Sequence, residues 1–200
     1  AVFRKGISIE PQASVRVAIT ADSWYRLKLN GRIVNDGPAR GWPTHYKYDV
    51  LDLTPYARPG ENEIEVVVRY FGTGTFHQVP QMPGLLAEIT IESATGTAVV
   101  ATGRSWLASA APEWRLDTPK ISIQMEPFEH YDARETGTRG WAAAVEVCEA
   151  HDGPWQGLSE RDCALLTWEP TSAKAVIRTQ AVTTKEEVFC FAAARMTHPG

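Results

Sequence analysis

The most regular feature of the chain is a two-residue alternation of apolar and polar positions. Val15, Val17 and Ile19 alternate with Arg16, Ala18 and Thr20, and Tyr25, Leu27 and Leu29 alternate with Arg26, Lys28 and Asn30. The same period runs through Tyr46, Tyr48 and Val50 against His45, Lys47 and Asp49, and through Ile64, Val66, Val68 and Tyr70 against Glu65, Val67 and Arg69. It returns at Ala87, Ile89 and Ile91, and again at Ile121, Ile123 and Met125. Successive side chains of a strand point to opposite faces, so each run predicts a strand with one buried and one wet face. Strands of that kind build antiparallel sheets packed over a shared core, not a parallel sheet covered on both sides.

The punctuation fits. Asn30-Gly31 lies between two runs and supplies positive φ at both central positions of a type I′ hairpin. Pro59-Gly60 suits a type II turn, with proline setting φ and glycine in the left-handed position. Turn signals recur every dozen or so residues, which predicts an all-β sandwich. Two segments are ambiguous. Trp141 to His151 is alanine-rich and compatible with a short helix, yet Val145 and Val147 alternate with Glu146 and Cys148. From Thr184, Glu187 occupies a capping-box position ahead of Phe191, Ala192 and Arg195, so a helix or a strand can follow. Polar residues and a proline at Glu169-Pro170-Thr171-Ser172 mark the expected boundary: a sandwich domain over 1–170, then a linker and the start of a following domain or a terminal strand over 171–200.

Composition narrows the class without disclosing a function. At 200 residues a chain can bury about 70% of its extended surface, enough for a core without metal or disulfides. A net charge of −4 gives no basic footprint for nucleic acid or anionic lipid. No apolar run approaches the roughly 18 residues of a membrane span. Cys148, Cys163 and Cys190 are odd in number and form no C-x-x-C pair, so they are expected as small buried hydrophobes, and a reducing, cytoplasmic compartment is preferred over export.

Catalytic motifs are missing: there is no H-E-x-x-H, no G-x-S-x-G, no Walker loop and no EF-hand spacing. Gly72-Thr73-Gly74 begins like a dinucleotide fingerprint but lacks the third glycine, so no cofactor is implied. Asp22, Asp36, Glu126, Glu129 and Asp132 are carboxylates of the type a glycosidase pairs across a cleft, but spacing along the chain cannot pair them. The five histidines are scattered, so no metal site is expected. The seven tryptophans are more informative, because several stand beside turns instead of inside apolar runs. The stretch Asp36-Gly37-Pro38-Ala39-Arg40-Gly41-Trp42-Pro43-Thr44-His45-Tyr46 combines one large aromatic face with polar donors. Such a face accepts the CH side of a sugar ring while Arg, His and Asp hold its hydroxyls. Trp42 can equally cap the edge of the sandwich. The candidate carbohydrate-binding residues are Asp36, Arg40, Trp42, His45, Tyr46 and, from the next glycine-rich turn, His77.

Longer motifs extend this reading. Tyr25 through Asn30-Gly31 to Asp36-Gly37-Pro38, then Tyr48-Asp49, Asp52-Leu53-Thr54-Pro55-Tyr56 and Pro59-Gly60-Glu61-Asn62, resemble the jelly-roll, galactose-binding-like accessory domain of bacterial α-L-rhamnosidases. The likeness continues through Pro83-Gly84-Leu85-Leu86, Ser105-Trp106, Tyr131-Asp132-Ala133-Arg134-Glu135 and Arg161-Asp162 to Leu165-Leu166-Thr167-Trp168-Glu169-Pro170. The resemblance implies a non-catalytic sandwich that supports a catalytic helical toroid domain of the same polypeptide, with a glycan or rhamnoside as possible ligand. None of the catalytic carboxylates of such enzymes carries over to this chain. Two rival readings are an inert scaffold without a sugar site and a stand-alone lectin-like protein.

Overall fold

The computed structural model describes the backbone of residues 1–167, 171–183 and 188–194, and side chains up to residue 179. Its strands are β1 (Val2–Ile9), β2 (Ser14–Asp22), β3 (Trp24–Leu29), β4 (Arg32–Gly37), β5 (Lys47–Asp52), β6 (Gly60–Arg69), β7 (Gly84–Ser93), β8 (Gly96–Ala101), β9 (Leu107–Ser109), β10 (Ala142–Ala143), β11 (Ser159–Glu160), β12 (Val176–Thr183) and β13 (Val188–Ala194). Two sheets carry the fold, one ordered β10-β9-β1-β6-β3-β4 and the other β11-β5-β2-β7-β8. The chain passes repeatedly from one sheet to the other, so each layer is assembled from distant segments. This is the antiparallel β-sandwich that the alternation predicts, in the jelly-roll-like form that the resemblance implies. One pairing departs from it: β11 runs parallel to β5, with Ser159 opposite Lys47.

The predicted inward positions form the core. Val15, Val17 and Ile19 of β2 and Ala87, Ile89 and Ile91 of β7 face Tyr25, Leu27 and Leu29 of β3 and Ile64, Val66 and Val68 of β6, all buried. Ile7 and Ile9 of β1, Leu51, Leu53 and Trp106 complete the cluster. Packing at this density makes the in/out phase of each strand decisive, because a slip of one residue would turn its apolar row to solvent. The hairpin between β3 and β4 forms with Asn30 at φ 51° and Gly31 at φ 78°, as a type I′ turn requires. Gly60 likewise takes a positive φ of 88°.

Four expectations are corrected. In β5 the phase is inverted: Asp49 and Leu51 are buried, while Val50 is 39% exposed. Asp49 goes inward because polar partners await it there. The expected strand at Ile121–Met125 is instead the turned tip of an irregular ribbon. The bond from Ile121 N to Glu126 O (3.0 Å) and the bond from Met125 N to Ser122 O (3.2 Å) close that tip. Among the described residues its backbone pairs with no sheet edge, and Ile123 stays 82% exposed. Trp141–His151 forms neither helix nor long strand; only Ala142–Ala143 pairs, against β9. Cys148 and Cys163 are exposed free thiols, not buried hydrophobes, and the side chain of Cys190 lies outside the described residues. Alternation also left β1 and β8 unannounced, the latter an edge strand whose Val99 is exposed.

The chain divides into two compact units, Ala1–Cys163 and Ala164–Gly200. In the second, β12 and β13 pair antiparallel with Thr183 opposite Val188. The segment after Thr184 is therefore a strand over Val188–Ala194, while Thr184–Glu187, with the capping-box position, lies outside the described residues, as does Trp168-Glu169-Pro170.

Candidate functional site: the loop end of the sandwich

Registers show which loops meet. Asp22 at the end of β2 pairs with Gly84 at the start of β7, Trp24 at the start of β3 with Arg69 at the end of β6, and Tyr25 with Gly37 at the end of β4. The β2–β3 corner, the 38–46 connection and the 70–83 connection therefore emerge at the same end of the sandwich. Both connections cross from one sheet to the other, which obliges them to run over the core opening.

Two buried carboxylates hold this end. Asp49, on β5, is fully buried between the sheets. It accepts a short hydrogen bond from the Tyr25 hydroxyl and one from Asn35 Nδ2 at 3.3 Å, and Arg161 Nε closes on its other oxygen. Asn35 faces inward because β4 carries a bulge, opposite Leu27 and Lys28, that resets its phase. Gly37 is demanded by the same cluster: a Cβ there would lie 2.1 Å from Asp49 Oδ2 and 2.8 Å from the Tyr25 ring. Burial and the neighbouring Asp49 charge push the Tyr25 phenol far above its ordinary range, so it remains a proton donor.

Asp22, also fully buried, accepts hydrogen bonds from neutral donors. Ser23 Oγ and Gln78 Nε2 each donate at 2.8 Å to Oδ1, and Gln81 N donates at 3.2 Å to Oδ2. Burial raises its pKa despite those bonds. Through Gln78 and Gln81 this carboxyl shapes the 70–83 connection, which Tyr70 OH (to Gln81 O, 2.8 Å) and Tyr46 OH (to Val79 O, 3.4 Å) brace further.

The six candidate residues separate on this frame. Arg40 and His77 come together across the two connections, Nη1 to Nδ1 at 3.1 Å. Trp42 and His45 pair within one loop, with ring centroids 5.8 Å apart and the His45 amide donating to Trp42 O at 2.9 Å. Thr44 between them adopts φ 66°, a left-handed conformation unusual for a β-branched residue, which closes the turn beneath the indole. Trp42 is 65% exposed. Tyr46 is buried below the loop, its ring 6.0 Å from that of Trp155. Asp36 is drawn away: both its oxygens receive the Arg26 guanidinium, at 2.8 and 2.7 Å, across the β3–β4 pair. A third loop joins the group. The ribbon tip is tied to the 70–83 connection by the Phe76 amide on Gln124 O (3.0 Å) and by Lys120 Nζ on Gly74 O (2.6 Å). Ser23, Gln78, Gln81 and Lys120 were missed by sequence reasoning, and no motif or periodicity distinguishes them.

Of the three remaining carboxylates, two are engaged. Glu129 pairs with Arg69 at 2.8 Å, and Asp132 caps a short turn while its bonds from Arg134 draw its pKa down to about 2. Among the described residues no group of three or more His, Cys, Asp or Glu could hold a metal. A cavity of about 1630 Å³ runs beneath the 101–158 segment, lined by Phe3, Trp24, Phe71, Trp106, Trp114 and Trp155 among others, but none of the six candidates lines it.

Comparison with known proteins decides the family. Residues 10–180 match the family model described as the alpha-L-rhamnosidase N-terminal domain. The chain belongs to this family. This rhamnosidase N-terminal domain is 36% identical over 139 residues to an α-L-rhamnosidase of Streptomyces avermitilis, covering 64% of this chain and 13% of that protein. Among solved structures it resembles the GH78 family rhamnosidase of Bacillus sp. GL1, with 33% identity and a TM-score of 0.79, over 90% of this chain and 20% of that one. It also resembles the Streptomyces avermitilis α-L-rhamnosidase complexed with L-rhamnose, with 25% identity and a TM-score of 0.50, over 71% of this chain and 15% of that one. The domain thus corresponds to about a fifth or less of each relative's length.

Proposed function

We propose that the chain is a non-catalytic accessory sandwich of an α-L-rhamnosidase-type glycoside hydrolase. It supports the catalytic helical toroid domain of the same polypeptide and touches glycan through the loop end. The observation that carries the sugar contact is the exposure of Trp42 on a loop braced from below, beside the Arg40–His77 pair. An exposed indole on a braced loop offers an apolar platform at little ordering cost, and adjacent polar groups supply orientation. The non-catalytic role is supported by the carboxylates: of the five candidates, Asp22 is buried, while Asp36, Glu129 and Asp132 are bound to arginines.

The test is titration of the purified chain with rhamnose, galactose and plant oligosaccharides, followed by tryptophan fluorescence and heteronuclear NMR. The expected result is saturable change that Trp42→Ala abolishes while the melting temperature holds. An absence of response to every sugar overturns the contact and leaves the scaffold reading. Hydrolysis of an aryl rhamnoside by this chain, lost on mutating a single carboxylate, overturns the non-catalytic role.

A further inference from the structure

The ionisable side chains of the loop end are unevenly distributed for a chain of net charge −4. Neither 38–46 nor 70–83 contains an acidic residue, whereas they contribute Arg40, His45 and His77. The nearest β4 carboxylate, Asp36, is taken up by Arg26, and Asp22 is sealed beneath the loops by its own donors. The ribbon adds Lys120, held on Gly74 O and Ile123 O at the junction, along with Asp117 and the half-buried Glu126.

The Arg40–His77 contact has a definite polarity. A guanidinium is always protonated and can only donate, so at 3.1 Å Nδ1 of His77 must be the acceptor. The imidazole proton then sits on Nε2. Arg40 keeps further N–H groups beyond the one turned to His77, and both residues are exposed. The pair therefore presents donors alone to solvent: guanidinium N–H groups and an Nε2–H. Two residues along the same loop stands the exposed indole of Trp42. A neutral sugar hydroxyl can accept from these donors, but its own O–H finds no acceptor on the pair, and its oxygen carries no charge. A carboxylate only accepts and meets charge-assisted donors in a planar fork.

We propose that the loop end selects an acidic glycan, a uronate whose carboxylate lies on the Arg40–His77 pair while a sugar ring packs on Trp42. This rests on the glycan reading above and specifies its ligand class. Charge-assisted bonds of this kind correspond to about a tenfold preference over the neutral sugar.

The experiment titrates the full 200-residue chain by calorimetry with oligogalacturonate and with a galactose oligomer of equal length, at low and at 0.5 M salt. Polyglutamate serves as a non-sugar polyanion. The uronate is expected to bind about tenfold tighter, Arg40→Gln and His77→Gln to reduce it to the neutral level, and Trp42→Ala to weaken both sugars. Arg40→Lys, which keeps the charge and loses the fork, should recover only part of the preference. Circular dichroism establishes that each variant folds. Equal binding of the two sugars, unchanged by Arg40→Gln, overturns the acidic preference and leaves the glycan reading standing. No binding of either overturns both. Polyglutamate binding as tightly as the uronate, indifferent to Trp42→Ala, overturns the sugar class in favour of an acidic polypeptide surface.

Discussion

Asp49 and Asp22 are two fully buried aspartates at the same end of one sandwich, yet they are answered in different ways. Asp49 meets a cation brought from 112 residues away, Arg161, together with a tyrosine and an asparagine. Asp22 meets a serine, a glutamine side chain and a backbone amide from its own neighbourhood and from the crossing loop. An arginine makes a buried carboxylate into a latch: it ties the returning 159–163 segment to β5, whose edge carries only the two-residue β11. Neutral donors make a buried carboxylate into a mould. They shape the 70–83 loop without cancelling the charge, so Asp22 titrates higher than usual. The latch serves the fold and the mould serves the surface.

The largest expected effect is on the latch. Arg161→Ala leaves Asp49 charged, buried and unpaired, and is expected to cost about 3–5 kcal/mol in chemical denaturation. In an Asp49→Asn background the same change should cost well under half as much. Equal costs in both backgrounds would show that Arg161 acts by packing alone. A smaller loss, about 1–3 kcal/mol, is expected for Gly37→Ala, because the new methyl must displace Asp49 or the Tyr25 ring. A variant as stable as the parent would mean that this cluster yields freely.

The mildest effect separates Asp22 from the paired acids through pH. Its folded pKa is raised, so the folded state holds the proton more tightly. Its contribution is full below the unfolded carboxylate pKa and is lost as pH climbs through the raised value. Glu65 behaves oppositely. Burial pushes its carboxyl up, but the bonds from Arg4 (2.9 Å) and Lys28 (3.0 Å), its cross-strand neighbours, outweigh this and hold it below the ordinary range. Its contribution is present above the unfolded pKa and lost as pH falls through the depressed one. Comparing melting temperatures across pH 3–7, Glu65→Gln should flatten the acid-side loss, and Asp22→Asn should remove a decline on the way up from acid. Identical pH profiles for the two variants would erase the distinction.

How far the sequence could be read depended on what each residue's neighbours were. The inward rows of β2, β3, β6 and β7 were legible because alternation and burial are the same fact seen along a strand. The type I′ turn was legible because Asn30-Gly31 tolerates positive φ locally. In β5, the same rule pointed the wrong way: Tyr48 and Val50 look like the buried pair, but Asp49 is drawn inward by Tyr25, Asn35 and Arg161. Of the six loop residues, those named for an aromatic face and donors divide into Arg40 with His77 and Trp42 with His45, while Asp36 joins Arg26 and Tyr46 lies below. Ile121, Ile123 and Met125 show that alternation without a receiving edge makes no strand.

What the amino-acid order determined by itself was therefore the sandwich, its inward rows, its tight hairpin and, through the longer motifs, its kinship. Those depend on interactions whose partners are adjacent or periodic in the chain. Only the tertiary structure decided which carboxylate receives an arginine, which loops meet at the open end and that Arg40 stands against His77. Those outcomes depend on pairs such as Asp49 with Arg161 and Arg40 with His77, 112 and 37 residues apart, which only folding brings within hydrogen-bond reach.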